Sequence, residues 1–135
     1  MKLFIDTNVV IDVIPRREPF VYDSQQVFHL CESGKADGFV STLTLCTVSY
    51  ILRKYLAPGM MRQKLRDFRN ILSPVDLSVS IIDKAIDSTM NDFEDAVQFY
   101  TAIYSEADYI ITRNIKHFPK NDIPALTPTA FLALK

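Results

Sequence analysis

The chain is predicted to be an α/β protein: a small central parallel sheet of four to five strands with helices on both faces. Three observations predict it. Short apolar runs near residues 2–6, 38–41, 74–77 and 109–112 have the length of buried strands. The segments between them carry apolar residues at helical spacing. Strands that alternate with helices pair in parallel through right-handed crossovers, which place helices on either side. With 135 residues and no repeat, linker or low-complexity segment, residues 1–135 are expected to form a single domain.

The first element is a strand over Lys2 to Asp6. Asn8 is a cap for a short helix from Val9 to Ile14, which Pro15 stops, and a charged, proline-containing loop runs to Pro19. Asp23 is the N-cap of a helix with Val27, Leu30 and Cys31 inside, ending at Gly34. Gly38 to Ser41 is a second strand. Thr42 or Thr44 caps the next helix, striped by Leu45, Val48, Ser49, Ile51, Leu52 and Tyr55, which Pro58-Gly59 breaks. Met60 to Leu72 is a basic helix with Met61, Leu65, Phe68 and Leu72 inward. Pro74 to Leu77 is a third strand, and Ser78 or Ser80 caps a helix carrying Ile81, Ile82, Ala85 and Ile86. Asp92 opens a helix whose buried stripe is Ala96, Val97, Tyr100, Ile103 and Tyr104. Tyr109 to Thr112 is a buried strand, Ile123 to Leu126 an edge strand, and Pro128 to Leu134 a terminal helix.

Composition narrows the function class. Hydrophobic residues make up 48% and charged residues 23%, as in soluble globular proteins, and no apolar run approaches a membrane span. The chain enters a strand at once, without a signal-peptide pattern, so a cytoplasmic location is expected. Cys31 and Cys46 fit no metal or redox spacing and read as reduced structural residues. The net charge of −1 argues against non-catalytic binding to long polyanions. It argues less against a nuclease, whose bound cations offset its own carboxylates.

The chemistry is expected where strand ends converge, because ligands of open parallel sheets sit beyond the carboxyl ends of the strands. Asp6 emerges directly from an apolar strand. Asp92, Glu94 and Asp95 open a helix; all three suit the helix dipole, and Asp92 with Asp95 resembles a capping box. If the apolar stripe faces the sheet, Asp95 lies on the pocket side, with Glu94 about 100° round the helix as an outer ligand. Asn114 ends a strand and can turn the chain, bind a hard cation or orient its water. Arg113, Lys116 and His117 lie where a phosphate would enter. Asp12 is expected to be solvated or locally bonded, and Arg62, Lys64, Arg66 and Arg69 to form a solvated helix face. Carboxylates crowded at one edge call for a divalent ion, which points to metal-assisted phosphodiester hydrolysis.

Phe4-Ile5-Asp6-Thr7-Asn8, Val40-Ser41-Thr42-Leu43-Thr44, Asp92-Phe93-Glu94-Asp95-Ala96 and Ile110-Ile111-Thr112-Arg113-Asn114, followed by Phe118, resemble the PIN-domain ribonucleases, notably the toxins of toxin–antitoxin pairs. The wording is similar to a subgroup with Asp-Phe-Glu-Asp and Thr-Arg-Asn motifs. The resemblance implies a three-layer α/β/α domain that gathers acids around Mg²⁺ or Mn²⁺ and cleaves RNA, with dimerisation and a small antitoxin protein as partner. By motif the first acid is Asp6 and the third Asp95; Thr47 stands at the second acid's place, Asn114 at the fourth, and His117 where an Asp often precedes the late Phe. The expected catalytic set is Asp6, Asp95 and Asn114, with Asp6, Asp95 and Glu94 as metal ligands and Arg113, Lys116 and His117 toward substrate. The alternative is a catalytically weakened module of the same fold that binds RNA or protein. Tyr50, Tyr55, Met60, Met61 and Phe68 exceed what two inner stripes require and suggest an assembly surface.

Overall fold

The computed structural model describes residues 1–14, 16–120 and 122–134. Five parallel strands form one sheet in the order β3-β2-β1-β4-β5: β1 Lys2–Ile5, β2 Asp37–Ser41, β3 Ser73–Val75, β4 Tyr109–Ile111 and β5 Ala125–Leu126. The helices are α1 Thr7–Val13, α2 Val21–Glu32, α3 Thr42–Leu52, α4 Pro58–Ile71, α5 Val79–Asp87, α6 Phe93–Tyr104 and α7 Pro128–Leu132. From β1 the chain steps outward to β2 and β3, then returns to add β4 and β5 on the other side. The order therefore reverses between β1 and β4, and the crevice at their carboxyl ends is the favoured ligand position of such a sheet.

Strand alternation divides the core. Leu3, Ile5, Val40 and Ile111 pack with residues of α1, α2, α3, α4 and α7 on one face. Phe4 and Ile110 face the opposite side, against Phe99 and Ala102 of α6. Next to them Ile81 and Ala85 of α5 pack on Ala96 and Val97. Because residues two apart share a face, Asp6 follows Phe4 and Thr112 follows Ile110 toward α6. Gly38 allows β2 to lie under α2 and α4: a Cβ there would stand 2.5 Å from Leu72 Cδ2 and 2.8 Å from Cys31 Sγ. Gly34, at φ +80°, reverses the chain after α2.

Several boundaries differ from expectation, each for a local reason. Asp6, not Asn8, caps α1: in extended conformation it accepts the Thr7 N–H, so the helix starts two residues early. The expected stop at Pro15 lies outside the described residues. Helix α2 starts at Val21, with Asp23 in its first turn rather than at the cap. Ser41 takes the capping role expected of Thr42 or Thr44, its hydroxyl accepting from Leu43 N. Pro58 begins α4, where its missing N–H costs nothing. Ser78 caps α5 and Asp92 caps α6, as expected. Among the described residues no helix is long and apolar enough to cross a membrane.

Candidate active site

Asp6 is the fixed point of the β1/β4 crevice. It is 5% exposed, and four groups donate to its carboxylate. Oδ1 accepts from Thr7 N at 2.8 Å and Gln98 Nε2 at 3.2 Å; Oδ2 accepts from the Thr112 hydroxyl at 2.8 Å and Asn8 Nδ2 at 3.3 Å. Burial pushes its pKa up, while the Thr112, Gln98 and Thr7 hydrogen bonds and the nearby His117 pull it back. Asn114 N donates to the same Thr112 oxygen at 3.0 Å, and Arg113 N to Asn8 Oδ1 at 3.3 Å. The end of β4 is thereby tied to the end of β1.

Beneath Asp6 lies a buried polar hub that the sequence reading missed. Gln98 Nε2 stands 3.0 Å from both Thr7 Oγ1 and Thr44 Oγ1, and those two hydroxyls are 2.8 Å apart. Gln98 Oε1 is buried without a partner among the described residues. The available signal was a polar residue on an apolar stripe: Gln98 sits between Val97 and Phe99, all three buried.

Helix α6 brings the other acids over Asp6. Glu94 lies one turn before Gln98 on the same side of the helix and is exposed at the start of α6. Its pKa is raised by partial burial and then by the charges of Asp6, Asp92 and Asp95. That of Asp95 is raised by burial and by Asp92 and Asp6, and lowered by His117. His117 Nδ1 is 3.1 Å from Asp95 Oδ2. Asn91, Asp92, Asp95, Lys116 and His117 line a small opening of about 250 Å³. Asp95, Lys116 and His117 thus share one opening, with Asp6 near enough to act electrostatically on both Glu94 and Asp95.

Some expected residues stand away from this opening, and the expectation for Asp12 needs correction. Arg113 does not join this opening: its Nε donates to Asp12 Oδ2 at 2.7 Å, and its guanidinium stacks on the Phe20 ring at 4.4 Å, on the α1–α2 side. Asp12, expected to be solvated or locally bonded, is instead fully buried in that long-range ion pair. The side chain of Asn114 lines the neighbouring cleft beside Phe20 and Arg113. Thr47 is half-buried on α3, one turn beyond Thr44.

The donors are hard oxygens, and burial followed by neighbouring carboxylates, Asp6 among them, raises the pKa values of Glu94 and Asp95, a crowding that a divalent cation relieves. Gln98 Oε1 adds an unused oxygen on the amide next to Asp6. Among the described residues no three side chains already stand close enough to hold an ion. The donor set therefore fits a metal in kind.

Known proteins resemble this chain over most of its length. Ribonuclease VapC1 of Aquifex aeolicus is 29% identical over 135 residues, covering 96% of this chain and 92% of that protein. A toxin–antitoxin complex from Klebsiella pneumoniae superposes with a TM-score of 0.71 at 22% identity, over 93% of this chain and 97% of the other. DNA-bound VapBC from Salmonella typhimurium gives 0.70 at 20% identity, over 95% and 98%. These two likenesses show the fold. The PIN domain profile matches residues 2–116, nearly the whole length from β1 to the turn after β4, and the chain belongs to the PIN domain family.

Proposed function

We propose that the protein is a divalent-metal-dependent endoribonuclease, the toxin of a toxin–antitoxin pair. The observation that carries the reading is the Asp6 carboxylate, buried at the β1/β4 switch point with Glu94 and Asp95 of α6 near enough to feel its charge. Asp6, Glu94 and Asp95 would hold Mg²⁺ or Mn²⁺, which would supply positive charge beside the phosphate and a more acidic bound water. Thr112 and Gln98 fix the orientation of Asp6. His117 hydrogen-bonds Asp95 and orients it, and Lys116 meets the phosphate at the rim of the opening. Asn114 acts through its backbone, holding the Thr112 hydroxyl against Asp6.

Support for the toxin role comes from the VapC1 likeness and from relatives in toxin–antitoxin complexes. Tyr50, Tyr55 and Met60 are exposed on α3, α4 and their connection, a surface for a second copy or a small antitoxin. Of the five residues expected there, Phe68 is buried against Phe28 and Met61 packs partly into the core. The test is RNA cleavage with Mn²⁺ by the wild type and by Asp6→Ala. Cleavage lost in the variant supports the reading; equal cleavage by both, or none by the wild type with any divalent ion, overturns it. Thr47 and Asn114, in place of two acids, favour a second reading as a weakened binding module. That reading expects RNA binding without a Mn²⁺ site in calorimetry.

A further inference from the structure

We propose that the cleft between the start of α2, the exit of β4 and the start of α7 is a subsite for one nucleobase of the RNA. This deepens the nuclease reading and rests on it. The cleft measures about 460 Å³, within the range of small-ligand sites, and Phe20, Ser24, Arg113, Asn114 and Pro128 are among its walls. Its position follows from strand geometry. Thr112 and Arg113 are successive residues, yet Thr112 bonds Asp6 on the α6 side while Arg113 reaches Asp12 and Phe20 on the α1–α2 side. A single strand crossing the top of the sheet therefore meets the acids and this cleft on either side of one strand end.

Charge and shape favour a base over a phosphate. Arg113 is neutralised at 2.7 Å by the fully buried Asp12, and Asp23 adds a carboxylate to the wall, so the cleft has no excess positive charge. What it offers is a flat platform. The Phe20 ring is 44% exposed, and the guanidinium stacked on it is locked in place by Asp12. Aromatic rings and arginine planes are the surfaces on which unpaired bases stack. Asn114 is exposed and available to a base edge, while Ser24 Oγ lies buried in the wall without a partner among the described residues. A planar, uncharged ring with donors and acceptors on its rim suits these walls.

The test uses the whole chain without metal, so that it does not depend on cleavage. Adenosine, guanosine, cytidine and uridine are titrated separately against isotope-labelled protein by NMR. Binding of a fluorescent RNA of about eight nucleotides, a length typical of single-strand sites, is then measured for the wild type, Phe20→Ala and Phe20→Tyr. At least one nucleoside is expected to shift the signals of Phe20, Ser24 and Asn114. Phe20→Ala is expected to weaken RNA binding by roughly 5- to 100-fold, the usual worth of one stacked base, with Phe20→Tyr restoring most of it. The proposal is overturned if no nucleoside shifts these residues, if an abasic strand binds as tightly as RNA, or if an antitoxin peptide alone produces the shifts. Should Phe20→Ala fail to fold, the nucleoside map on the wild type decides. Cleavage without nucleoside binding removes the subsite and leaves the nuclease; nucleoside binding without cleavage does the reverse.

Discussion

The Asp12–Arg113 pair gives a prediction whose asymmetry follows from exposure. The two side chains meet at 2.7 Å, with Asp12 wholly buried and Arg113 26% exposed. In Asp12→Ala the guanidinium turns toward solvent along its flexible stem, so the loss is mainly one charge-assisted hydrogen bond, about 1–2 kcal/mol. In Arg113→Ala the Asp12 carboxylate remains buried without its partner, and such broken pairs cost about 3–5 kcal/mol. Loss of the Phe20 contact adds about 0.5–1 kcal/mol. With an unfolding entropy of about 2.1 cal/mol/K per residue over 135 residues, the melting temperature should fall by about 4–7 °C in the first variant. The second should lose about 12–21 °C, and the double variant should lose less than the sum by at least about 1.5 kcal/mol. Thermal and urea melts near neutral pH, followed by circular dichroism, measure all three. The gap should narrow on acidification, because the stranded Asp12 then takes up a proton. Equal losses for the two single variants, or a strictly additive double variant, would refute the idea that the pair is energetically coupled.

Asp6→Asn and Asp95→Asn should each abolish Mn²⁺ binding in calorimetry. The metal-free melt of Asp6→Asn should move little, because the amide oxygen still caps Thr7 and repulsion from Glu94 is relieved; a sharp drop would make Asp6 chiefly a helix cap. The pKa values of Asp6, Glu94 and Asp95 are raised on folding, so the folded state holds more protons and stability falls as pH rises through that window. The metal-free protein should thus melt higher at about pH 5 than at about pH 7.5, with Mn²⁺ stabilising it more at the higher pH; a melting temperature that climbs with pH would contradict this. Thr47→Glu should tighten Mn²⁺ binding, since Thr47 follows Thr44 by one turn on the same helix side; unchanged affinity in a folded variant would show that position 47 points elsewhere. Light scattering across a dilution series should show more than the 15.4 kDa monomer; a constant monomer mass with no binding of a hydrophobic dye would leave Tyr50, Tyr55 and Met60 without a self-association role.

Much of this protein is written locally in its residues. Apolar runs of strand length, helical stripes, and Ser78 and Asp92 as caps depend on neighbours a few positions away. Strand alternation likewise turns Asp6 and Thr112 to one face once their strands are recognised. Tertiary structure decided what depends on distant partners. Asp12 looks like any polar helix residue until Arg113, 101 positions later, closes on it. Gln98 looks like an interruption of an apolar stripe until Asp6, Thr7 and Thr44 surround its amide. The reason is energetic: a buried polar group is tolerable only with partners, and here those partners meet only after five strands are ordered. Arg113 shows the same limit in reverse, since its charge suggested phosphate but its direction was set by the face of β4 from which it leaves the sheet.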